Sequence, residues 1–348
     1  MNSFNECILA APHRLALPIA VYPGLALTRT RVCDVVSDPQ AQLEAQMALH
    51  ERYQTPIVLS AMDLSAEAEA FGCTLYLSEN EVPSVTGRLV TTLEQAQKLV
   101  MPQPGDKRTA VHLEVVRRLR RLPGRPLVLA GCIGPFSLAA RLVGVSEAME
   151  LTVTEPDLIA AVLDRSVAFL IEYIRAFRAA GADGIIMAEP AAGLLSPRSL
   201  AFNSSAPIKT IAAAVGDERF AIILHNCAAK MLHLPAILET GLKSYHFGSP
   251  MDIATALGKV PSDVVLCGNL DPSAVFCQSS PEEIHARATD LLAATAGQRN
   301  FVPSSGCDLP PHASLAGLDA FYEAVQAPIR RQEESNLKGL IDPAPMSV

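Results

Sequence analysis

The most informative stretch of this sequence is Ala221-Ile222-Ile223-Leu224-His225-Asn226-Cys227, an apolar run that ends in two side chains able to bind a metal ion. A short apolar run of this kind is typical of a buried β-strand. Because successive strand residues point to opposite faces, we expect His225 and Cys227 on the same side of the strand. The stretch therefore predicts a strand with two metal ligands at its carboxyl end.

Strand-like and helix-like patterns alternate on both sides of this stretch. Runs typical of short buried strands occur at Pro18 to Tyr22, Pro56 to Ser60, Pro126 to Ala130, Gly184 to Ala188, Phe220 to Leu224, Tyr245 to Phe247, Val264 to Cys267 and near Phe301. Helical patterns separate most of them, at Asp38 to Arg52, Asp106 to about Arg121, from Ser137, Pro156 to Ala180, from Pro197, up to Glu239, from Pro250, Pro281 to Ala296 and Ser314 to Val325. Such alternation implies a parallel sheet, and roughly eight strands predict an α/β fold of the (β/α)8 TIM-barrel type.

The domain organisation follows from the same pattern. We expect one (β/α)8 barrel domain over residues 1–348, with residues 1–55 partly additional to the barrel and residues 343–348 as a loose tail. The region from Gly72 to Pro104 mixes short β-rich pieces with turns and is typical of an insertion. No Gly-x-Gly-x-x-Gly turn follows an early strand, which disfavours an open dinucleotide-binding sheet.

Composition narrows the classes of partner. The net charge of −8 and the absence of a long basic run disfavour nucleic acid as a partner. The first residues lack a basic segment and an apolar core, and charges, Gly or Pro interrupt the longer apolar stretches, so we expect a cytoplasmic protein without membrane association. Its eight cysteines are then expected to be reduced thiols. Formation of a homo-oligomer stays open.

Polar side chains gather where the predicted strands end, which is where the active sites of barrels lie. A third soft ligand, Cys307, follows the run near Phe301, and one imidazole with two thiolates would hold zinc with one position open. The alternative, a core histidine beside a buried cysteine, stays about equally favoured on these residues alone. Two other histidines, His233 and His246, are expected to be structural.

Four further side chains at predicted strand ends are candidates with two interpretations each. Glu189 is a candidate catalytic group for substrate binding or proton acceptance, or a cap of the next helix. Asp252 is a candidate catalytic carboxylate and temporary fourth zinc ligand, or a helix N-terminal carboxylate. Asn269 and Asp271 are candidate cofactor-binding residues, or members of an ordinary turn.

The charge of the ligand set suggests a use for the metal. A neutral imidazole, two thiolates and Zn²⁺ sum to zero, so a substrate thiol could bind as thiolate near neutral pH and keep much of its nucleophilicity. Water activation by a hydrolase is the competing use, although hydrolytic zinc sites more often employ histidine and carboxylate ligands.

Three motifs carry a resemblance to a known family. They are His225-Asn226-Cys227, Cys267-Gly268-Asn269-Leu270-Asp271-Pro272 and Ser305-Gly306-Cys307-Asp308-Leu309-Pro310. They resemble the uroporphyrinogen decarboxylase superfamily, and within it the zinc-dependent methylcobamide:thiol methyltransferases most of all. The similarity extends from about Pro56 to Val325 and is supported by the stretch from Gly131 to Phe136.

The resemblance implies a (β/α)8 barrel that holds Zn²⁺ through His225, Cys227 and Cys307. It also implies methyl transfer between a methylcobamide, carried on a separate small corrinoid protein, and an activated thiol such as coenzyme M. Which acceptor is used (coenzyme M, homocysteine or a folate), the upstream methyl donor and the fourth zinc ligand stay open.

Two departures from the family pattern bear on the alternatives. Ala228 follows the second ligand where the family often has glycine. No Arg-Gln-Ala-Gly-Arg segment, which the decarboxylases use for substrate carboxylates, occurs near the N-terminus, where the chain reads Leu17 to Tyr22. Decarboxylation of a tetrapyrrole is therefore the less favoured alternative, and a non-catalytic corrinoid- or tetrapyrrole-binding barrel with structural zinc is the second one.

Overall fold

The structure is a computed structural model that describes residues 3–327, so the predicted tail at residues 343–348 lies outside the described residues. The strands of the described chain are β1 (Ile57–Leu59), β2 (Thr74–Tyr76), β3 (Ser84–Thr86), β4 (Leu127–Ile133), β5 (Gly184–Ala188), β6 (Ala221–Asn226), β7 (Ser244–Phe247), β8 (Val265–Leu270) and β9 (Phe301–Ser305).

The helices surround these strands in the predicted alternation. They are α1 (Phe4–Ala10), α2 (Leu25–Thr28), α3 (Val32–Ser37), α4 (Pro39–Tyr53), α5 (Ala66–Phe71), α6 (Leu93–Lys98), α7 (Thr109–Leu119), α8 (Pro135–Val143), α9 (Val145–Thr154), α10 (Pro156–Ala180), α11 (Pro197–Leu200), α12 (Ala206–Val215), α13 (Leu234–Leu238), α14 (Ile253–Leu257), α15 (Pro281–Ala294) and α16 (315–327). Short 3₁₀ or π turns occur at Tyr22–Gly24, Ala191–Leu194, Ala201–Ser205 and Met231–His233.

Seven strands form one parallel sheet in the order β1-β4-β5-β6-β7-β8-β9. Each strand is followed in the chain by at least one helix, so the predicted α/β class with parallel pairing is confirmed. The remaining strands, β2 and β3, form a separate antiparallel hairpin in the region that we expected to be an insertion.

The two faces of the large sheet are both buried, as expected for parallel strands covered by helices. Alternate residues of six strands form an inner core on the concave face, which contains Ile57, Leu59, Leu127, Leu129, Ile186, Ala188, Ile223, Val265, Cys267 and Val302. Their neighbours, such as Val128, Met187 and Leu224, pack on the opposite face against the helices. On β6, Ile223 and His225 therefore share the concave face.

The predicted strand Pro18 to Tyr22 is wrong: these residues lie beside β9 and form no ladder with it. One backbone hydrogen bond joins the two segments, from Leu17 N to Pro303 O at 3.0 Å. In a strand, the N–H and C=O groups of one residue point to the same neighbouring strand. Pro303 offers its C=O to Leu17 but has no N–H for that side, so the ladder cannot continue there. A full eight-stranded barrel is thus not formed by the described residues.

Hydroxyl groups replace part of the missing ladder. Ser304 Oγ donates to Leu17 O, and Ile19 N donates to Ser305 Oγ at 3.0 Å. Ile19 and Val21 then join the inner core, so this segment covers the gap between β9 and β1 by packing.

The first helix closes the amino end of the sheet. Phe4 and Ile8 of α1 belong to the inner core. Asn5 Nδ2 donates to Lys243 O at 2.7 Å, directly before β7, which ties α1 to the amino ends of the strands. The amino end of the sheet is therefore covered by α1, and the polar candidates lie at the opposite, carboxyl end.

Among residues 3–327, no helix combines the length and the apolar character needed to cross a membrane.

Candidate metal centre

Three predicted ligands meet at the carboxyl end of the sheet. His225 is the penultimate residue of β6, Cys227 follows that strand directly, and Cys307 lies two residues beyond β9. His225 is buried and the two cysteines are half-buried. One ligand atom from each residue lies within 4.8 Å of the other two. Among the described residues, these three side chains form the group that is placed to hold a metal ion.

The donor set fits a zinc ion. Tetrahedral zinc with Zn–S near 2.3 Å and Zn–N near 2.0 Å would separate its ligand atoms by about 3.6–3.8 Å. Adjustments of about 1 Å would bring the three atoms to that spacing. The Nε2 atom of His225 is buried and has no hydrogen-bond partner, a costly state that a coordinated cation would relieve.

The two thiols perturb each other because they are close. A hydrogen bond from Cys307, with help from the neighbouring His225, lowers the pKa of the Cys227 thiol. The same contact and burial raise the pKa of Cys307. One of the two sulfurs is thus readily a thiolate, and a bound cation would allow the second to ionise as well.

Two glycines allow the strand ends to approach each other this closely. A Cβ atom on Gly248 would lie 2.1 Å from Cys227 O, and one on Gly306 would lie 2.9 Å from Ser249 N. Any other residue at either position would push the segment after β7 away from a segment that carries one of the cysteines.

A second histidine contacts the Nδ1 atom of the His225 imidazole. The Nδ1 atoms of His225 and His246 lie 2.8 Å apart, and His246 Nε2 lies 2.8 Å from Ser304 Oγ. His246 is fully buried, and its desolvation lowers its pKa well below the usual range.

Glu189 lies at the end of β5, as predicted, but its carboxylate is fully buried and occupied. Oε1 accepts from Phe136 N at 2.8 Å and from Ser204 Oγ at 3.2 Å; Oε2 accepts from the N and Oγ atoms of Ser137 at 2.8 and 2.6 Å. Burial raises its pKa to about 7 although these hydrogen bonds oppose the shift. The contacts favour a capping role, but the capped helix is α8, which precedes β5, and not the next helix along the chain as predicted. The catalytic role stays a prediction.

Asp252 is exposed at the start of α14. Its Oδ1 accepts from Thr255 N at 3.0 Å and its Oδ2 from Thr255 Oγ1 at 2.6 Å, and these hydrogen bonds lower its pKa. This is the helix N-cap that was the alternative interpretation. Its role as a temporary fourth ligand stays a prediction.

Asn269 and Asp271 hold the loop that follows β7. Asn269 Nδ2 donates to Gly248 O at 3.0 Å and to Met251 O at 2.6 Å. Asp271 Oδ2 accepts from Ser249 Oγ at 2.9 Å, while its Oδ1 accepts from two backbone N–H groups in a turn. Both residues therefore act on the loop that packs against Cys227, and cofactor binding by them stays a prediction.

The family profile for uroporphyrinogen decarboxylase (URO-D) matches residues 25–328. The chain belongs to this family. The resemblance predicted from the three motifs is therefore confirmed.

Curated relatives in the family carry two kinds of name. The methylcobamide:CoM methyltransferase MtbA of Methanosarcina mazei is 28% identical over 324 residues, covering 89% of this chain and 94% of that protein. A uroporphyrinogen decarboxylase of Psychromonas ingrahamii is 28% identical over 300 residues, covering 81% and 83%.

A solved structure described as a methyltransferase from Methanosarcina mazei shares the fold. It superposes with a TM-score of 0.84 at 21% sequence identity and covers 94% of this chain and 100% of that one. At this identity the likeness shows the fold, and it supports the URO-D-like α/β architecture.

Sequence reasoning missed the contact between the two histidines. His246 was expected to be structural, whereas it touches the candidate ligand His225. A signal was present: His246 is the third residue of a strand whose alternation directs it to the same face as His225, where an apolar residue is the rule. Nothing in the sequence indicated that Ser304 contacts His246, because the predicted strand near Phe301 had no defined end.

Proposed function

We propose that this protein is a zinc-dependent methyltransferase that moves a methyl group between a methylcobamide, carried on a separate small corrinoid protein, and a thiol such as coenzyme M. The observation that carries the proposal is the group His225, Cys227 and Cys307, whose ligand atoms lie within 4.8 Å of one another and include an unpartnered buried nitrogen. The MtbA relatives, which align with 89% of this chain, support the reaction type.

The donor set suits this chemistry. When bound, zinc would lower the pKa of a substrate thiol and leave its sulfur nucleophilic, since the ligand set with the ion is neutral overall. His225 and Cys227 would hold the ion from β6 and Cys307 from the segment after β9. A substrate thiol would take the remaining position at the carboxyl end of the sheet, because α1 closes the amino end.

A corrinoid must approach the same end of the sheet from outside. Three exposed apolar side chains, Leu194, Phe202 and Leu232, lie on the turns that follow β5 and β6, the strands beside the ligands. Contiguous exposed apolar patches mark protein contact surfaces, and we propose that these three side chains belong to one. We propose that the corrinoid protein docks there, with Asn269 and Asp271 fixing the neighbouring loop.

The test of the function is metal content together with methyl transfer. The purified wild type is expected to bind one equivalent of zinc per chain and to methylate coenzyme M from free methylcobalamin. Cys307→Ala is expected to lose most of the zinc and the transfer, because two ligands bind zinc far more weakly than three. Cys33→Ala, which removes a half-buried thiol outside the ligand group, is the matched control and should keep both.

Three outcomes would overturn the proposal. Stoichiometric zinc in Cys307→Ala would refute the ligand assignment. Release of carbon dioxide from a tetrapyrrole carboxylate without metal, in a wild type that transfers no methyl group, would establish the decarboxylase alternative. Binding of a corrinoid without turnover of any of the three acceptors would instead indicate the non-catalytic alternative.

A further inference from the structure

We propose that His246 is a positioning residue for the metal ligand His225. Through a hydrogen-bond chain that ends at the Leu17 carbonyl, it would hold the His225 imidazole with its proton on Nδ1, so that Nε2 presents its lone pair to the cysteines. This role rests on the proposed function, because it concerns a ligand of the proposed zinc site.

The donor and acceptor of each hydrogen bond in this series are fixed by its last member, the Leu17 carbonyl. A backbone carbonyl only accepts hydrogen bonds, so Ser304 must donate its single hydroxyl hydrogen to Leu17 O. The Ser304 oxygen is then an acceptor toward His246 Nε2, 2.8 Å away. His246 must therefore carry a proton on Nε2.

The next contact follows from this assignment. A neutral imidazole protonated on Nε2 has an acceptor at Nδ1. His225 Nδ1 lies 2.8 Å from that atom and must then be the donor. The other arrangement would need a doubly protonated, cationic His246, and no carboxylate is among the hydrogen-bond partners of this fully buried ring.

The consequence falls on the metal-facing nitrogen. With its proton on Nδ1, a neutral His225 has an unprotonated Nε2, and this is the buried atom that has no hydrogen-bond partner. A metal ligand needs that lone pair, and the hydrogen bond made by the other ring nitrogen selects which nitrogen is free. The chain therefore prepares His225 for coordination before any ion arrives.

The hydrogen-bond chain joins strands of the large sheet. His225 and His246 are register partners in adjacent strands, β6 and β7, and Ser304 lies in β9. Cys267, the concave-face residue of the intervening β8, is small, which suits a contact between His246 and β9 across that strand. A tilt of the His246 ring would therefore break its hydrogen bonds to both β6 and β9.

The first measurement reads the ring protons directly. In full-length, metal-free protein with ¹⁵N-labelled histidine, NMR spectra that correlate ring nitrogens with ring C–H protons report which nitrogen is protonated. We expect His225 in the Nδ1–H form and His246 in the Nε2–H form. A proton on Nε2 of His225 would overturn the proposal.

The second measurement is zinc affinity, by competition with a chromophoric chelator at fixed pH. His246→Phe, which keeps a ring of similar size without nitrogen atoms, is expected to weaken zinc binding by about 10- to 100-fold. His246→Asn should recover much of this loss, because the amide oxygen can accept from His225 Nδ1. His112→Phe removes a buried imidazole that has no hydrogen-bond partner and should bind zinc like the wild type.

The outcomes separate this proposal from the function itself. A wild type that binds no zinc refutes the metal centre, while the NMR result still decides which ring nitrogens of His225 and His246 carry protons. A wild type that binds zinc, with His246→Phe binding equally well, refutes the positioning role. Should His246→Phe fail to fold, the Asn variant and the wild-type NMR spectrum decide.

Discussion

The ends of β5 and β6 are neighbours in the sheet and differ in one respect. Ala188 and His225 are register partners, and Glu189 N donates to His225 O at 2.8 Å. The carboxylate of Glu189 accepts four hydrogen bonds from the protein. The imidazole of His225 has a hydrogen-bond partner at Nδ1, and its Nε2 has none.

The difference separates a structural polar group from a candidate site. Burial of a polar group is costly unless it is hydrogen-bonded, so a satisfied carboxylate contributes to stability, whereas an unsatisfied nitrogen lowers it and needs another reason to be there. An unpartnered atom alone is insufficient, because His112 has two of them and belongs to no ligand group among the described residues. The two cysteines beside Nε2 make the difference.

The largest effect is expected from removal of the satisfied carboxylate. Glu189→Ala leaves two backbone N–H groups and two hydroxyls of buried segments without their acceptor, so the free energy of unfolding should fall by about 3–5 kcal/mol in urea titrations. Zinc affinity per folded chain should be unchanged. A loss of zinc or of methyl transfer at unchanged stability would instead restore Glu189 as a catalytic group and break the comparison.

Glu67 tests the cost of an unpartnered buried atom that lies outside the ligand group. Its Oε1 accepts from Ile133 N at 3.0 Å, its Oε2 has no partner, and burial raises its pKa to about 7. Because the folded pKa exceeds that of an unfolded glutamate, its contribution is fully present below about pH 4.3 and is lost as the pH rises through 7. Between pH 5 and 8 the wild type should lose about 2–3 kcal/mol of unfolding free energy relative to Glu67→Gln. Parallel stability curves for the two proteins would contradict the assignment.

Asp252 sharpens the comparison because it has both interpretations. Asp252→Ala should lower the free energy of unfolding by about 1 kcal/mol through loss of the N-cap. Asp252→Asn keeps the cap and is a poor zinc ligand, so its zinc affinity should equal that of the wild type. Weaker zinc binding by the Asn variant in the chelator competition would make Asp252 the fourth ligand.

The smallest effect is expected at the exposed residues beside β6. Leu232→Ser should raise the KM for the corrinoid protein by about threefold and leave transfer from free methylcobalamin unchanged, since one rim contact is worth less than a central anchor. Val153→Ser on α9, an exposed apolar residue away from the strand ends, is the control. Equal KM values for all three proteins would remove this surface as the docking site.

Local patterns in the sequence were sufficient for the elements with long or sharply bounded signals. The helix at Pro156–Ala180 and the strand at Gly184–Ala188 have the predicted bounds. Proline starts that helix and glycine follows its end, so both limits are set by residues within the helix or next to it. Pro18 to Tyr22 had an equally apolar pattern and still formed no strand, because the missing N–H belongs to Pro303 on the other segment.

The candidate ligands at the end of β6 could be predicted from spacing, because alternation along one strand puts His225 and Cys227 on one face. Tertiary packing alone decided that Cys307 lies next to them, that Glu189 caps α8, and that His246 contacts His225. Each of these contacts joins segments far apart in the chain, and a hydrogen bond between them depends on the curl of the sheet, which no local pattern encodes.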